Sequence, residues 1–277
     1  RDALTHLYNA LERRDKLYEI QTEELESIDK WPQIVSFSNK LLVIAKYVSL
    51  CTMMERFDRA NAAIEKLYKI TPADESQEQE YWERSIVALV QFFVVSGQFP
   101  RALEIEEKSR NILEINTTIP PALRIDIYGS YISLYIASGE YEKAIEWHEM
   151  MLAKEGGNDF AEDLQVKARL MGLVAHYELG NHLLINSHCR AIQRILLRRK
   201  YPAAMESVVL KFIKVVPPTL EEAEHWQKFK EQMLPFLEDT VERQKFQLFD
   251  FICWIDSKLQ KRPLMELLKE KREAAGQ

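Results

Sequence analysis

The sequence has little glycine and no long apolar run. Only 8 of its 277 residues are glycine, and they fall mainly between segments in which apolar residues recur with helical spacing. Leu, Ala, Glu and Lys dominate those segments and favour helix. No uninterrupted apolar stretch reaches the roughly 18 residues that a membrane-spanning helix needs. We therefore expect an all-α protein that has no membrane partner.

The chain also has few cysteines and carries a net negative charge. Cys51, Cys189 and Cys253 are an odd set, far apart and without a CxxC pair, which is typical of reduced thiols in an intracellular protein. The formal net charge of −6 gives no long-range attraction to phosphate backbones. We expect a cytoplasmic protein without a nucleic-acid partner.

Sequence motifs of catalysis are missing as well. There is no phosphate loop and no GxGxxG, HExxH or GxSxG motif. His176, His182 and His188, beside Cys189, are the candidate metal ligands. His182 and His188 would lie about 120° apart on a helix of 3.6 residues per turn, unlike the i, i+4 pair that shares a metal. We interpret them as surface or interface histidines and predict no catalytic residue, no metal and no cofactor.

The sequence does contain a repeat with a spacing of 42 residues. Gly139 lies between two helical stripes, where a helix would end in a residue free to adopt positive φ. The apolar positions recur before and after the turn: Cys51, Phe93, Tyr135 and Tyr177 in one column, and Phe57, Phe99, Tyr141 and Leu183 in another. Such a period predicts four helical hairpins that stack and share their apolar faces.

Two of the four turns depart from this pattern. Glu55 replaces the turn glycine in the first copy, so we expect that turn to close with an ordinary backbone conformation. In the fourth copy Gly180 comes one residue early, and Asn181 is an alternative residue for the left-handed position.

These residues resemble the tetratricopeptide repeat family. The resemblance is carried by aromatic and apolar positions on the first helix and by Gly-x-aromatic-x-x-Ala on the second: Tyr128, Tyr131, Tyr135, Gly139, Tyr141 and Ala144. It implies a right-handed α-α superhelix, a solenoid of antiparallel hairpins. The family's period is about 34 residues, and its small residue on the first helix is replaced by bulkier ones, so we expect altered superhelical parameters.

The predicted organisation has three parts. Residues 1–37 form an N-terminal helix, over about residues 2–27, that is either a cap or the remnant of a preceding repeat. Residues 38–200 form the four hairpins, and residues 201–277 a degenerate hairpin followed by a helical C-terminal cap. On the second helix of the third hairpin, Trp147 is predicted either to pack inside or to be an exposed anchor for a partner.

The resemblance also implies a binding groove on the concave face, lined by the first helices of the hairpins. Carried onto this chain, the partner-binding residues are Arg84, Val87, Gln91, Asp126, Gly129, Ser133 and Met171. Most residues of this lining are small or apolar and suit an apolar or helical insert. Alternatively, small residues tighten the packing between hairpins, or a terminal helix of the same chain fills the groove.

The leading functional hypothesis is a non-enzymatic scaffold that binds a protein or peptide, with a second copy of the chain as an alternative partner. A first alternative is a peptide-sensing regulatory domain whose output domain lies upstream of Arg1. A second is an enzyme with a cleft near His176 and His188.

Overall fold

The protein is all-helical. The structure, a computed structural model, describes residues 14–115, 118–155, 162–198, 204–215, 223–238 and 249–275. These residues form fourteen α-helices and one 3-10 turn, and no strand occurs among them. Within the same ranges no helix is both long enough and apolar enough to cross a membrane. The predicted helical class is confirmed.

Six of the described helices precede residue 119. They are α1 (Arg14–Lys30), α2 (Phe37–Met53), α3 (Phe57–Tyr68), α4 (Glu75–Val95), α5 (Phe99–Glu104) and α6 (Glu106–Glu114). Residues 1–13 of the predicted N-terminal helix lie outside the described residues. Among the described residues, α1 ends at Lys30, close to the predicted end.

The other eight described helices follow. They are α7 (Pro121–Ser138), α8 (Tyr141–Glu155), α9 (Glu162–Glu178), α10 (His182–Arg198), α11 (Ala204–Val215), α12 (Ala223–Met233), α13 (Phe251–Gln260) and α14 (Leu264–Ala275). The 3-10 turn Leu234–Leu237 follows α12 directly.

The chain divides into two compact units, Arg1–Ile119 and Pro120–Gln277. In the first unit α2 packs against both α3 and α4, and α1 packs against α2. In the second unit α7 packs against α8 and α9, and α9 packs against α8 and α10. Each unit therefore contains two successive hairpins whose first helices are neighbours.

The 42-residue spacing appears in the helix boundaries. The second helices of the four hairpins begin at Phe57, Phe99, Tyr141 and His182, which lie 42, 42 and 41 residues apart. Phe93, Tyr135 and Tyr177 are each buried near the end of their first helix. The column of large residues in the sequence thus corresponds to buried positions before the turns.

The turns correct two expectations. Glu55 adopts φ of 56°, so the expected ordinary conformation is wrong. The amide of Arg56 donates to the Cys51 carbonyl at 2.8 Å, as the amide of Glu140 donates to the Tyr135 carbonyl at 2.9 Å. This hydrogen bond forms when the residue before the donor has a left-handed conformation. For a residue with a Cβ, such as Glu55, that conformation costs about 1–2 kcal/mol.

In the fourth hairpin the left-handed residue is Gly180, with φ of 69°, and not Asn181. The Asn181 amide instead donates to the His176 carbonyl at 3.0 Å. The same closing bond is therefore made with glycine one position earlier than the repeat predicted.

Aromatic rings form the core of the second unit. Trp147 is fully buried, and its ring stacks on Tyr131 with centroids 4.3 Å apart, so Trp147 is a packing residue and not an exposed anchor. A second aromatic cluster joins α9 to the C-terminal helices through Tyr177, Phe212, Trp226, Phe229 and Trp254. Helix α14 packs against α7, the first helix of this unit.

Candidate functional site

Three of the predicted groove residues lie on α4 in the first unit. Arg84 is exposed, and its Nε donates to Glu80 Oε1 at 2.7 Å, one turn earlier on the same helix. Hydrogen bonds from Ser38 and Arg84 lower the pKa of Glu80. Gln91 is half-buried, and Val87 is buried. This part of α4 therefore presents one cationic and one amide side chain beside an apolar position.

The other four predicted residues lie in the second unit, on α7 and α9. Gly129, Ser133 and Met171 are buried, and Met171 is only 1% exposed. Asp126 is half-buried. Helix α14 of the same chain also packs against α7.

Glu178, at the end of α9, binds the C-terminal helices. Its Oε1 accepts a hydrogen bond from Trp254 Nε1 at 2.6 Å, and its Oε2 forms an ion pair with Lys258. The Tyr141 hydroxyl also hydrogen-bonds to Glu178. One carboxylate thus ties α8 and α9 to α13, and the sequence alone gave no sign of it because Trp254 is 76 residues away.

Three imidazole rings meet in the second unit, one from each of three consecutive helices. His148 of α8, His176 of α9 and His188 of α10 have ring centroids 4.7 to 6.1 Å apart, and we call them the histidine cluster. His182, which the sequence grouped with His176 and His188, is exposed and lies outside the cluster. The missed member is His148. Its position in the apolar stripe of α8 was the sequence feature that could have indicated a buried histidine.

The cluster is mostly sealed from solvent. His148 is 0% exposed and His176 is 1% exposed, whereas His188 is half-buried. Among the described residues, neither ring nitrogen of His148 has a hydrogen-bond partner, and neither has Nε2 of His176. Nδ1 of His176 lies 3.3 Å from the side-chain amide nitrogen of Asn181. Since an amide nitrogen donates, Nδ1 is the acceptor and the ring proton of neutral His176 is on Nε2.

Burial keeps these rings neutral. Burial, together with the smaller effect of the neighbouring imidazoles, lowers the pKa of His148 to about 3 and that of His176 to about 4. Burial also lowers the pKa of His188, with Arg169 acting in the same direction and Glu149 opposing it. The cluster is therefore a set of neutral imidazoles that lie close together and are largely shielded from solvent.

Metal binding is a natural question for three imidazoles. Among the described residues no group of three His, Cys, Asp or Glu side chains is arranged to hold a metal ion. The rings of His176 and His188 are stacked, with an angle of 23° between their planes, so they face each other instead of converging on one point.

A shallow cavity of about 400 Å³ lies at the start of α4 in the first unit. It is lined by Pro72, Ala73, Asp74, Glu78, Tyr81 and Trp82. Its carboxylates are already engaged: Asp74 Oδ1 accepts from the Gln77 amide at 2.8 Å, and Glu78 Oε1 accepts from Lys108 Nζ at 3.3 Å. These bonds give both acids a role in holding α4.

Comparisons of this chain with protein-family models, with curated proteins and with solved structures find no match.

Proposed function

We propose that the protein is a non-enzymatic scaffold that binds a peptide or a helix of a partner protein along the first helices of tetratricopeptide-like hairpins. The pairing of α2 with α4, and of α7 with α9, supports this proposal. First helices that lie side by side form a continuous surface on which an extended or helical segment can lie.

The binding surface is proposed to lie on α4 in the first unit. This assignment rests on exposure: Arg84 is exposed and Gln91 is half-buried, whereas Gly129, Ser133 and Met171 are buried in the second unit. A partner cannot reach the buried residues without displacing part of the chain itself. Arg84 and Gln91 can donate to polar groups of a bound segment, and Val87 lies one helical turn from each of them.

The second unit supplies an internal analogy for the kind of partner. There α14, an amphipathic helix with Leu264 and Leu267 buried, packs against α7. A first helix of this protein thus accepts a second helix from outside its hairpin. We therefore propose an amphipathic helix with a central apolar residue as the ligand of α4.

Selection from a displayed library of helical peptides tests this function. Peptides selected on the full chain are expected to lose about tenfold or more in affinity, roughly 1.4 kcal/mol, when Arg84→Glu or Gln91→Arg is introduced. Glu65→Arg is the matched control, because Glu65 is exposed on α3 of the same unit. The selected peptides are expected to bind the Glu65→Arg variant with the same affinity as the parent.

Equal affinity of the selected peptides for all three variants and the parent would reject the assignment to α4. A library that gives no peptide sensitive to Arg84 or Gln91 would reject it too. Circular dichroism of each variant checks that the helices remain folded.

A further inference from the structure

We propose that the histidine cluster is an acid-operated latch: proton uptake by His148 and His176 separates α8, α9 and α10 and opens the second unit. This inference goes beyond the proposed scaffold function, which requires neither histidine. It concerns when the second unit is closed, and it is independent of what the first unit binds.

The geometry places three bases where they cannot all be charged. The three rings come from α8, α9 and α10, and their centroids lie 4.7, 5.3 and 6.1 Å apart. Protonated imidazoles at these distances repel one another strongly when they are removed from water. The repulsion would act between the three helices, because each helix carries one ring.

In the part of the chain that the structure describes, no hydrogen-bonding group is positioned to compensate a charge on His148. Both of its ring nitrogens are without a hydrogen-bond partner, and the ring is fully buried. A buried cation without a partner is far more costly than a buried neutral ring. His148 therefore has to lose its contacts with α9 before it can hold a proton stably.

The charged groups that act on the cluster add little compensation. Arg169 of α9 is positive and opposes protonation of His148 and His188, whereas Glu149 of α8 favours a charge on His188 alone. Asn181, in the turn after α9, contacts His176 as a neutral group. Helices α7 and α11 also pack against these helices, and among the described residues neither contributes a charge to the pKa of any ring in the cluster.

The direction of the pH effect follows from the lowered pKa values. The closed unit binds a proton at His148 only near pH 3 and at His176 only near pH 4, whereas an exposed histidine binds one near pH 6.5. Opening therefore takes up protons below about pH 6.5, and the closed state is fully favoured above it. Two such histidines change the opening equilibrium by up to about 100-fold per pH unit, and by about 100-fold in total from pH 7.5 to 5.5.

Hydrogen exchange measured by mass spectrometry on the full chain tests the latch. The samples contain EDTA and are compared at about pH 7.5, 6.5 and 5.5, with exchange expressed as protection factors that remove the intrinsic pH dependence. Peptides from α8, α9 and α10 are expected to lose about 100-fold in protection across this range. Peptides from α2 to α4 are the internal reference and are expected to change little. Constant protection in α8 to α10 would overturn the proposal.

Substitutions assign the effect to the cluster. The double variant His148→Leu/His176→Leu is expected to lose most of the pH dependence, and the control His182→Leu is expected to keep all of it, because His182 is exposed on α10. A double variant that loses protection with acid as the parent does would contradict the latch.

A measurement on the unmodified chain decides the matter if the double variant does not fold. In an NMR titration His148 and His176 are expected to stay neutral until the second unit opens. Ordinary titration of His148 and His176 in the folded chain would overturn the proposal. Increased protection of α8 to α10 by added Zn²⁺ at pH 7.5 would also overturn it, in favour of a metal site.

Discussion

The imidazole ring of His148 lies directly against the backbone of α9 at Gly172. A Cβ built on Gly172 would come within 2.3 Å of His148 Cγ and 2.4 Å of its Nδ1. These distances are well inside van der Waals contact, for which carbon atoms prefer about 3.5–4.0 Å. A single glycine inside α9 therefore permits the close approach of α8 and α9 at the histidine cluster.

Replacing Gly172 by alanine is expected to destabilise the protein. The added methyl group has no room, and overpacking of this kind typically costs about 1–3 kcal/mol. Alanine gains about 1 kcal/mol over glycine in helix propensity, so the expected net loss is at most about 2 kcal/mol. Urea unfolding followed by circular dichroism measures the difference in the free energy of unfolding.

The His148→Ala background provides the control for this prediction. Once the ring is removed, Gly172→Ala is expected to be neutral or to stabilise by up to about 1 kcal/mol. If Gly172→Ala lowered the free energy of unfolding equally in both backgrounds, the cost would not come from a clash between the added methyl group and the His148 ring.

The ion pair between Arg124 and Glu155 is expected to hold the outer ends of α7 and α8 together. Arg124 Nε donates to Glu155 Oε1 at 2.6 Å and its Nη2 donates to Oε2 at 2.9 Å, with Glu155 only 3% exposed. Arg124→Met removes both bonds from a buried carboxylate and is expected to cost about 2–3 kcal/mol in urea unfolding.

The double variant Arg124→Met/Glu155→Met distinguishes two contributions to the free energy of unfolding. One is the net stabilisation by the ion pair, and the other is the cost of burying the Glu155 carboxylate without Arg124. It is expected to lie within about 1 kcal/mol of the parent, because two apolar side chains replace a buried ion pair. A double variant as unstable as Arg124→Met would show that the loss has another origin.

Removing the Glu178 carboxylate is expected to loosen the C-terminal helices. Glu178→Ala leaves the indole N–H of the buried Trp254 without its acceptor, which costs about 1–3 kcal/mol. Hydrogen exchange of α13 should then increase. Glu266→Ala is the control on α14, since its ion pair with Arg262 is exposed, and exchange there should match the parent. Unchanged exchange of α13 in Glu178→Ala would argue against this anchoring role.

The three cysteines are expected to be unreactive in the folded protein. All are buried, and burial raises the pKa of Cys51 to about 11 and that of Cys253 to about 12, and also raises that of Cys189. Because the thiolate is the reactive form, a thiol reagent at about pH 8 should label none of them within minutes. In guanidinium chloride it should label all three. Rapid labelling of any one in the folded state would place that thiol near solvent.

The sequence predicted the helices and their phase because both depend on local chemistry. The apolar column through Phe93, Tyr135 and Tyr177 and the glycines at positions 139 and 180 determine where helices end. The left-handed conformation of Glu55 was not predicted from the sequence. A closing hydrogen bond from Arg56 to Cys51 imposes left-handed φ on whatever residue precedes the donor, and composition does not reveal that bond.

Only the tertiary structure decided which distant residues meet. His148 is 40 residues from His188 and was not grouped with it, whereas His182 is near in sequence and lies on another side of α10. Likewise Met171 was predicted to line a groove, and its burial depends on how the whole second unit packs. Periodicity specifies which face of a helix is apolar, but the neighbour that covers the face is selected by packing between helices. For that reason the sequence determined the hairpins, and the three-dimensional packing determined the histidine cluster.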